Sequence, residues 1–143
     1  GGAALPPFGR VAAAAGGLIL CVRPGRWLAL GAATAVAANG NAVVDLSSAL
    51  CGFHVAGPRV REALARSCRL DLDPREFPAD GAARTIIAQV SAIVAALPSG
   101  LLLLTPSTTA RHFHEWIAGA ARPFGVALMP AAVGTDFSRG ETT

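Results

Sequence analysis

Residues 42–78 read AVVDLSSALCGFHVAGPRVREALARSCRLDLDPREFP, and the order of signals within this stretch decides the fold. A short apolar run, Ala42–Asp45, has strand composition, and Gly52–Ala56 supplies a second strand. After Gly57-Pro58 the apolar period changes from two to three and four. Val60, Ala63, Leu64, Ser67 and Cys68 then share one helical face, and Glu62 and Arg66 stand at the favourable i, i+4 spacing off it. Pro58 suits a first helical position, where a missing N–H costs nothing. Leu70-Asp71-Leu72-Asp73-Pro74 ends the helix as a connector.

Working outward, residues 1–16 read as an irregular Gly/Pro-rich lead-in. Gly17–Val22 and Trp27–Leu30 form a hairpin about Pro24-Gly25, and Ala32–Ala38 has room for one or two helical turns before Asn39-Gly40-Asn41. The run Ala83–Leu97 is ambiguous. Its alanines favour helix, whereas Thr85, Ile86, Ile87, Val90, Ile93 and Val94 favour strand. It is read as two strands bent near Gln89–Ser91, continuing through Pro98-Ser99-Gly100 into the strand Leu101–Leu104. A second helix, capped by Ser107 or Thr108, runs to Phe124 with Ala110, Phe113, Ile117, Ala120, Ala121 and Phe124 inward and an Arg111–Glu115 pair outward. Gly125 stops it, Val126–Leu128 is a last strand, and residues 131–143 form a flexible tail. The expected architecture is α+β: one domain over residues 17–130, with antiparallel or mixed sheet segments backed by two main helices, one to each half.

Composition narrows the function classes. The chain has 143 residues, enough for one core burying about 70% of its unfolded surface. It is 52% hydrophobic and only 15% charged, so a permanent partner is a natural cover for its surface. The net charge of +3 comes from arginines scattered from Arg10 to Arg139, without a block that would track a polyanion, so nucleic acid is not an expected partner. The longest apolar candidate, Val11–Val22, is short of the roughly 20 residues a membrane span needs. Cys21, Cys51 and Cys68 are widely spaced and form no CxxC pair, as expected of reduced thiols in a cytoplasmic protein.

Each candidate for chemistry fails on geometry. His112 and His114 are two apart on a helix and cannot share an ion, whereas zinc helices use i, i+4 histidines; His112 and Glu115 share a face but lack a third ligand. Cys51 and His54 are an odd step apart on a strand and face opposite sides. Asp71 and Asp73 lack the further oxygens and glycine of a calcium loop, so Asp73 reads as a turn former before Pro74. Gly57-Pro58-Arg59 sets an arginine at a helix start, a weak anion signal. No phosphate loop, dinucleotide fingerprint or GxSxG elbow occurs. No catalytic, cofactor-binding or metal-ligating residue is expected.

The ordered central stretch resembles the gamma subunit of heterotetrameric sarcosine oxidase. The resemblance rests on Val43-Val44-Asp45-Leu46-Ser47, Ala56-Gly57-Pro58-Arg59, Arg61-Glu62-Ala63-Leu64-Ala65, Cys68-Arg69-Leu70-Asp71-Leu72-Asp73-Pro74 and Phe77-Pro78. More loosely, it extends to Arg26–Gly31 and to Phe113-His114-Glu115-Trp116-Ile117. The chain departs from the family pattern at Ser48–Cys51, at Arg69 and at Asp73. The resemblance implies a fold similar to the folate-binding domain of glycine-cleavage aminomethyltransferases. It also implies a place beside alpha, beta and delta subunits, which carry FAD, FMN, NAD, tetrahydrofolate and zinc, in a complex that oxidises sarcosine to glycine. A free-standing module binding folate or another one-carbon carrier is the alternative reading.

Overall fold

A computed structural model of the protein describes residues 5–14, 16–31 and 42–125. Strands β1 (Arg10–Ala14), β2 (Gly17–Arg23) and β3 (Arg26–Leu30) form an antiparallel sheet in that order. Strands β4 (Leu50–Val55), β5 (Ala82–Ile87), β6 (Val90–Leu97) and β7 (Gly100–Pro106) form a second, ordered β4-β7-β6-β5. Helices α1 (Val60–Ala65) and α2 (Ala110–Ala121) complete the α+β fold.

The layers follow from which side chains are apolar on both faces of a strand. Val94, Ala96, Leu101 and Leu103 pack with Leu64 of α1 and Phe113 and Ile117 of α2. The alternate residues Ala95, Leu97, Leu102 and Leu104 pack with Val11, Leu18 and Leu20 of the three-stranded sheet. β6 and β7 are therefore covered on both sides, which is why they read as continuous apolar runs instead of alternating. Each large apolar side chain buried this way contributes about 1.5–3 kcal/mol. Leu72 and Phe77, from the connector after α1, close one end of the helix-side core.

Two hairpins order the four-stranded sheet. Leu97 pairs with Gly100 around Pro98-Ser99, as expected. Gly100 has φ +144°, and a Cβ there would overlap the Val55 carbonyl oxygen, so only glycine fits. The other turn falls on Ala88-Gln89, with φ of 50° and 67°, one residue before the expected bend. The segment after α1 clamps it: Ala88 N–H donates to the Ser67 carbonyl (3.1 Å) and Arg69 N–H to that of Ile86 (3.2 Å).

Several sequence expectations are corrected. Residues 42–46 form no strand, and Val43 and Val44 are exposed. A strand needs a neighbour as well as β-branched residues, and among the described residues no strand lies beside this segment. Residues 10–14, expected to be irregular, form β1 because β2 offers an edge to pair with. Both helices lie on the four-stranded sheet, not one on each half. α1 starts at Val60, leaving Pro58 in the turn before it and Cys68 beyond its end. Glu62 turns back to Arg59 (2.8 and 2.9 Å) instead of forward to Arg66, and no ion pair joins Arg111 to Glu115 among the described residues. Neither Ser107 nor Thr108 caps α2; a 3-10 turn over Ser107–Thr109 leads into it, and Ser107 Oγ donates to the Ser48 carbonyl (2.8 Å). The expectations for Ala32–Ala38, Val126–Leu128 and the tail lie outside the described residues.

Candidate interaction surface

The structure disperses the residues that the sequence offers for chemistry. His112, His114 and Glu115 are exposed on α2, and the His114 ring stacks near Phe53 (centroids 6.1 Å apart, 30° between planes). Among the described residues no three histidine, cysteine, aspartate or glutamate side chains gather as metal ligands. Cys51 sits opposite Thr105 and shares its strand face with Phe53 and Val55, which pack on the helix-side core. His54, on the other face, places Nε2 2.9 Å from Ser99 Oγ, and burial lowers its pKa from the ordinary imidazole value. The two are not brought together. Burial pushes the Cys68 thiol up, against hydrogen bonds from the Leu70 backbone and the Thr85 side chain. A thiol kept protonated is a weak nucleophile.

The acidic connector is a self-contained turn. Asp73 Oδ1 accepts the Arg75 N–H (2.9 Å) and both carboxylate oxygens meet the Arg75 guanidinium, which holds the Asp73 carboxyl below its usual range. The Asp73 carbonyl accepts the N–H groups of Glu76 and Phe77. Asp73 is thus the turn former its place before Pro74 implies. The arginines near Gly57-Pro58 are engaged as well. Arg59 is bidentate to Glu62 and lies 4.5 Å over the Phe124 ring. Arg61 donates to the carbonyls of Leu72 and Phe77, both at 2.7 Å, and so ties α1 to the connector. Neither guanidinium is held out for an anion.

What remains is a surface. On one side the two sheets are stitched together: Val11 N–H donates to Asp80 O (2.9 Å), and Ala82 N–H to Gly9 O (2.8 Å). On the other side β3 and β4 have no further strand beside them among the described residues. An apolar cleft of about 240 Å³ opens there, lined chiefly by Leu28, Leu30, Leu46, Leu50, Leu102 and Leu104. Leu46, 51% exposed, and Ser47 line it, and the preceding Val43 and Val44 are 49% and 78% exposed. A second groove of about 500 Å³ runs between α1 and α2 past Arg66, Trp116 and Phe124. Sequence reasoning missed the exposure of Val43 and Val44 because it read Ala42–Asp45 as a strand. The available signal was a run with no polar alternate residue until Asp45.

No protein-family model matches the chain, and no curated protein matches it. Among solved structures, it is similar to a chain of "Heterotetrameric Sarcosine Oxidase from Corynebacterium sp. U-96 in complex with pyrrole 2-carboxylate". The TM-score is 0.73 at 25% identity, over 88% of this chain and 70% of that one. A small α+β chain is therefore similar in architecture to a chain of a heterotetrameric enzyme.

Proposed function

We propose that the chain is a small, gamma-type subunit of a sarcosine-oxidase-like complex, serving assembly and support instead of carrying reacting groups. The observation that carries this reading is the structural similarity over 88% of the chain. The motifs from Val43 to Pro78 point the same way. In this reading the alpha, beta and delta partners hold FAD, FMN, NAD and tetrahydrofolate, and this chain holds none. The complex oxidises sarcosine to glycine, reduces oxygen to hydrogen peroxide, and passes the methyl carbon to tetrahydrofolate. Its place is the cytoplasm; among the described residues no helix is long and apolar enough to cross a membrane.

The test is capture. The tagged full chain, expressed in its own host, is expected to bring down chains with flavin absorbance and sarcosine-dependent peroxide production. A capture without flavin, from cells that make such an oxidase, overturns the reading. Calorimetric titration of a reduced folate into the isolated chain separates it from a free-standing folate-binding module, which alone would give heat.

A further inference from the structure

Two clefts meet at α2 and form one groove. The cleft of about 500 Å³ between α1 and α2 and a neighbouring one of about 460 Å³ share Ser67 and Trp116 as lining residues. Trp116, half-buried and packed near Phe113 (ring centroids 6.3 Å apart), stands at the junction. Phe124 lines one end, and His112 and Gln89 line the other. Backbone bonds hold the walls in place: the Ser67 carbonyl accepts the Ala88 N–H (3.1 Å), and the Ile86 carbonyl accepts the Arg69 N–H (3.2 Å). A preformed groove with an indole at its centre and arginines on its walls has the composition of a protein–protein contact centre, where tryptophan and arginine are enriched.

The charge of this groove is one-sided. Arg66 lines the first cleft and Arg69 the second; both are exposed, and neither forms an ion pair among the described residues. Among the described residues one carboxylate, Glu62, lines the groove, and Arg59 already holds it bidentately (2.8 and 2.9 Å). Two unmatched guanidinium groups beside an indole are complemented by carboxylates next to an apolar side chain. A phosphate backbone is disfavoured, because it pairs with a longer run of cations. The described surface of this chain offers no such acidic segment. Glu62, Asp73 and Asp80 face their own arginines, and Asp45 and Asp71 accept the N–H groups of Ser47 and Asp73. That leaves Glu76 and Glu115, far apart in sequence. A two-fold contact of groove on groove sets arginine against arginine. Residues 32–41 and 126–135 contain no charged residue, and the carboxylates beyond them, Asp136 and Glu141, flank Arg139.

We propose, resting on the subunit reading, that the groove between α1 and α2 receives an acidic segment of a partner subunit. Its carboxylates pair with Arg66 and Arg69, and an apolar side chain between them lies on Trp116. Arginine suits the task because its planar fork takes a carboxylate through two parallel N–H···O bonds. The charges select the partner, and the apolar contact at the indole excludes water from the pairs.

Arg66→Glu/Arg69→Glu, made in the full tagged chain, reverses both charges and breaks no ion pair among the described residues. Arg23→Glu/Arg26→Glu, at exposed positions of the three-stranded sheet, makes the same change in net charge as a control. Circular dichroism confirms each fold, and Arg69→Glu alone is read if the double variant misfolds. The expected result is that wild type captures flavin-bearing chains, the control matches it within about twofold, and the groove variant loses about tenfold or more in yield. A wild-type yield from the groove variant, or an equal loss from the control, overturns the acidic contact and leaves the subunit reading standing. Unchanged capture, with a thermal midpoint lowered alike by the groove variant and by Asp136→Asn/Glu141→Gln, assigns the groove to residues 126–143 and also overturns the contact. Capture of no flavin chain, with a wild-type homodimer that the groove variant splits, assigns the groove to a second copy and overturns both readings. A wild-type chain that stays monomeric and captures nothing overturns both as well.

Discussion

Thr105 offers a prediction whose sign is set by the structure. It lies in β7 on the face shared by Leu101 and Leu103, is 0% exposed, and its Oγ1 has no hydrogen-bond partner. A buried hydroxyl without a partner costs about 1–3 kcal/mol in desolvation. Thr105→Val removes that cost while keeping the β-branched shape, so neither a cavity nor a strand penalty offsets the gain. The expected net change is about 1–2 kcal/mol of added stability, hence a thermal midpoint about 3–6 °C higher for a chain of this size. Thr105→Ser makes the opposite control: it keeps the hydroxyl, deletes a methyl, and is expected to lose about 1 kcal/mol. Thermal and urea unfolding followed by circular dichroism read both variants. A Thr105→Val midpoint lower than wild type by more than about 3 °C refutes the reasoning, because it means that the hydroxyl makes a bond worth more than its desolvation.

Three further outcomes are expected. Arg61→Met strands the buried-side carbonyls of Leu72 and Phe77, and it should lower unfolding free energy by about 2–3 kcal/mol, read as a lower urea midpoint at unchanged slope. Gln89→Gly relieves a positive φ of 67° in the β5–β6 turn, and should add about 0.5–1 kcal/mol after the entropy cost of glycine in the unfolded chain; a loss would show that the Gln89 side chain supports the turn. His54 is held below its unfolded value of 6.5 by burial, so the unfolded chain takes up the proton first. Stability from this group is complete above that value and is lost as pH falls below it, toward the lower folded pKa. His54→Gln should therefore flatten the change in thermal midpoint between about pH 7.5 and about pH 5.5, and an unchanged slope would assign it elsewhere.

The centre of the fold was legible because burial on both faces leaves a plain mark. Leu101–Leu104 and Ile93–Leu97 admit few polar residues, and Pro98-Ser99-Gly100 between them is a turn in any context. The inward face of α2 was legible from Phe113 and Ile117 at helical spacing, and both are buried. Arg10–Ala14 was not legible, since its three alanines carry neither period nor bulk and β2 alone makes them a strand. Nor could spacing reveal that Glu62 would choose Arg59, as i, i+3 and i, i+4 partners are nearly equivalent on a helix surface.

Residues 42–46 and α1 failed in opposite directions, and the contrast bears on the surface. α1 is shorter than its pattern, six residues, because Arg61 ties it to the connector and the Asp73 turn takes over the chain soon after. Its sequence pattern was satisfied within the molecule by other means. The 42–46 segment keeps a strand pattern that no strand among the described residues satisfies, and its valines are exposed. Strand propensity measures fit to a neighbouring strand more than an intrinsic backbone preference. A strand-like run with no strand beside it among the described residues is what that dependence allows, and it is why composition alone misplaced residues 42–46.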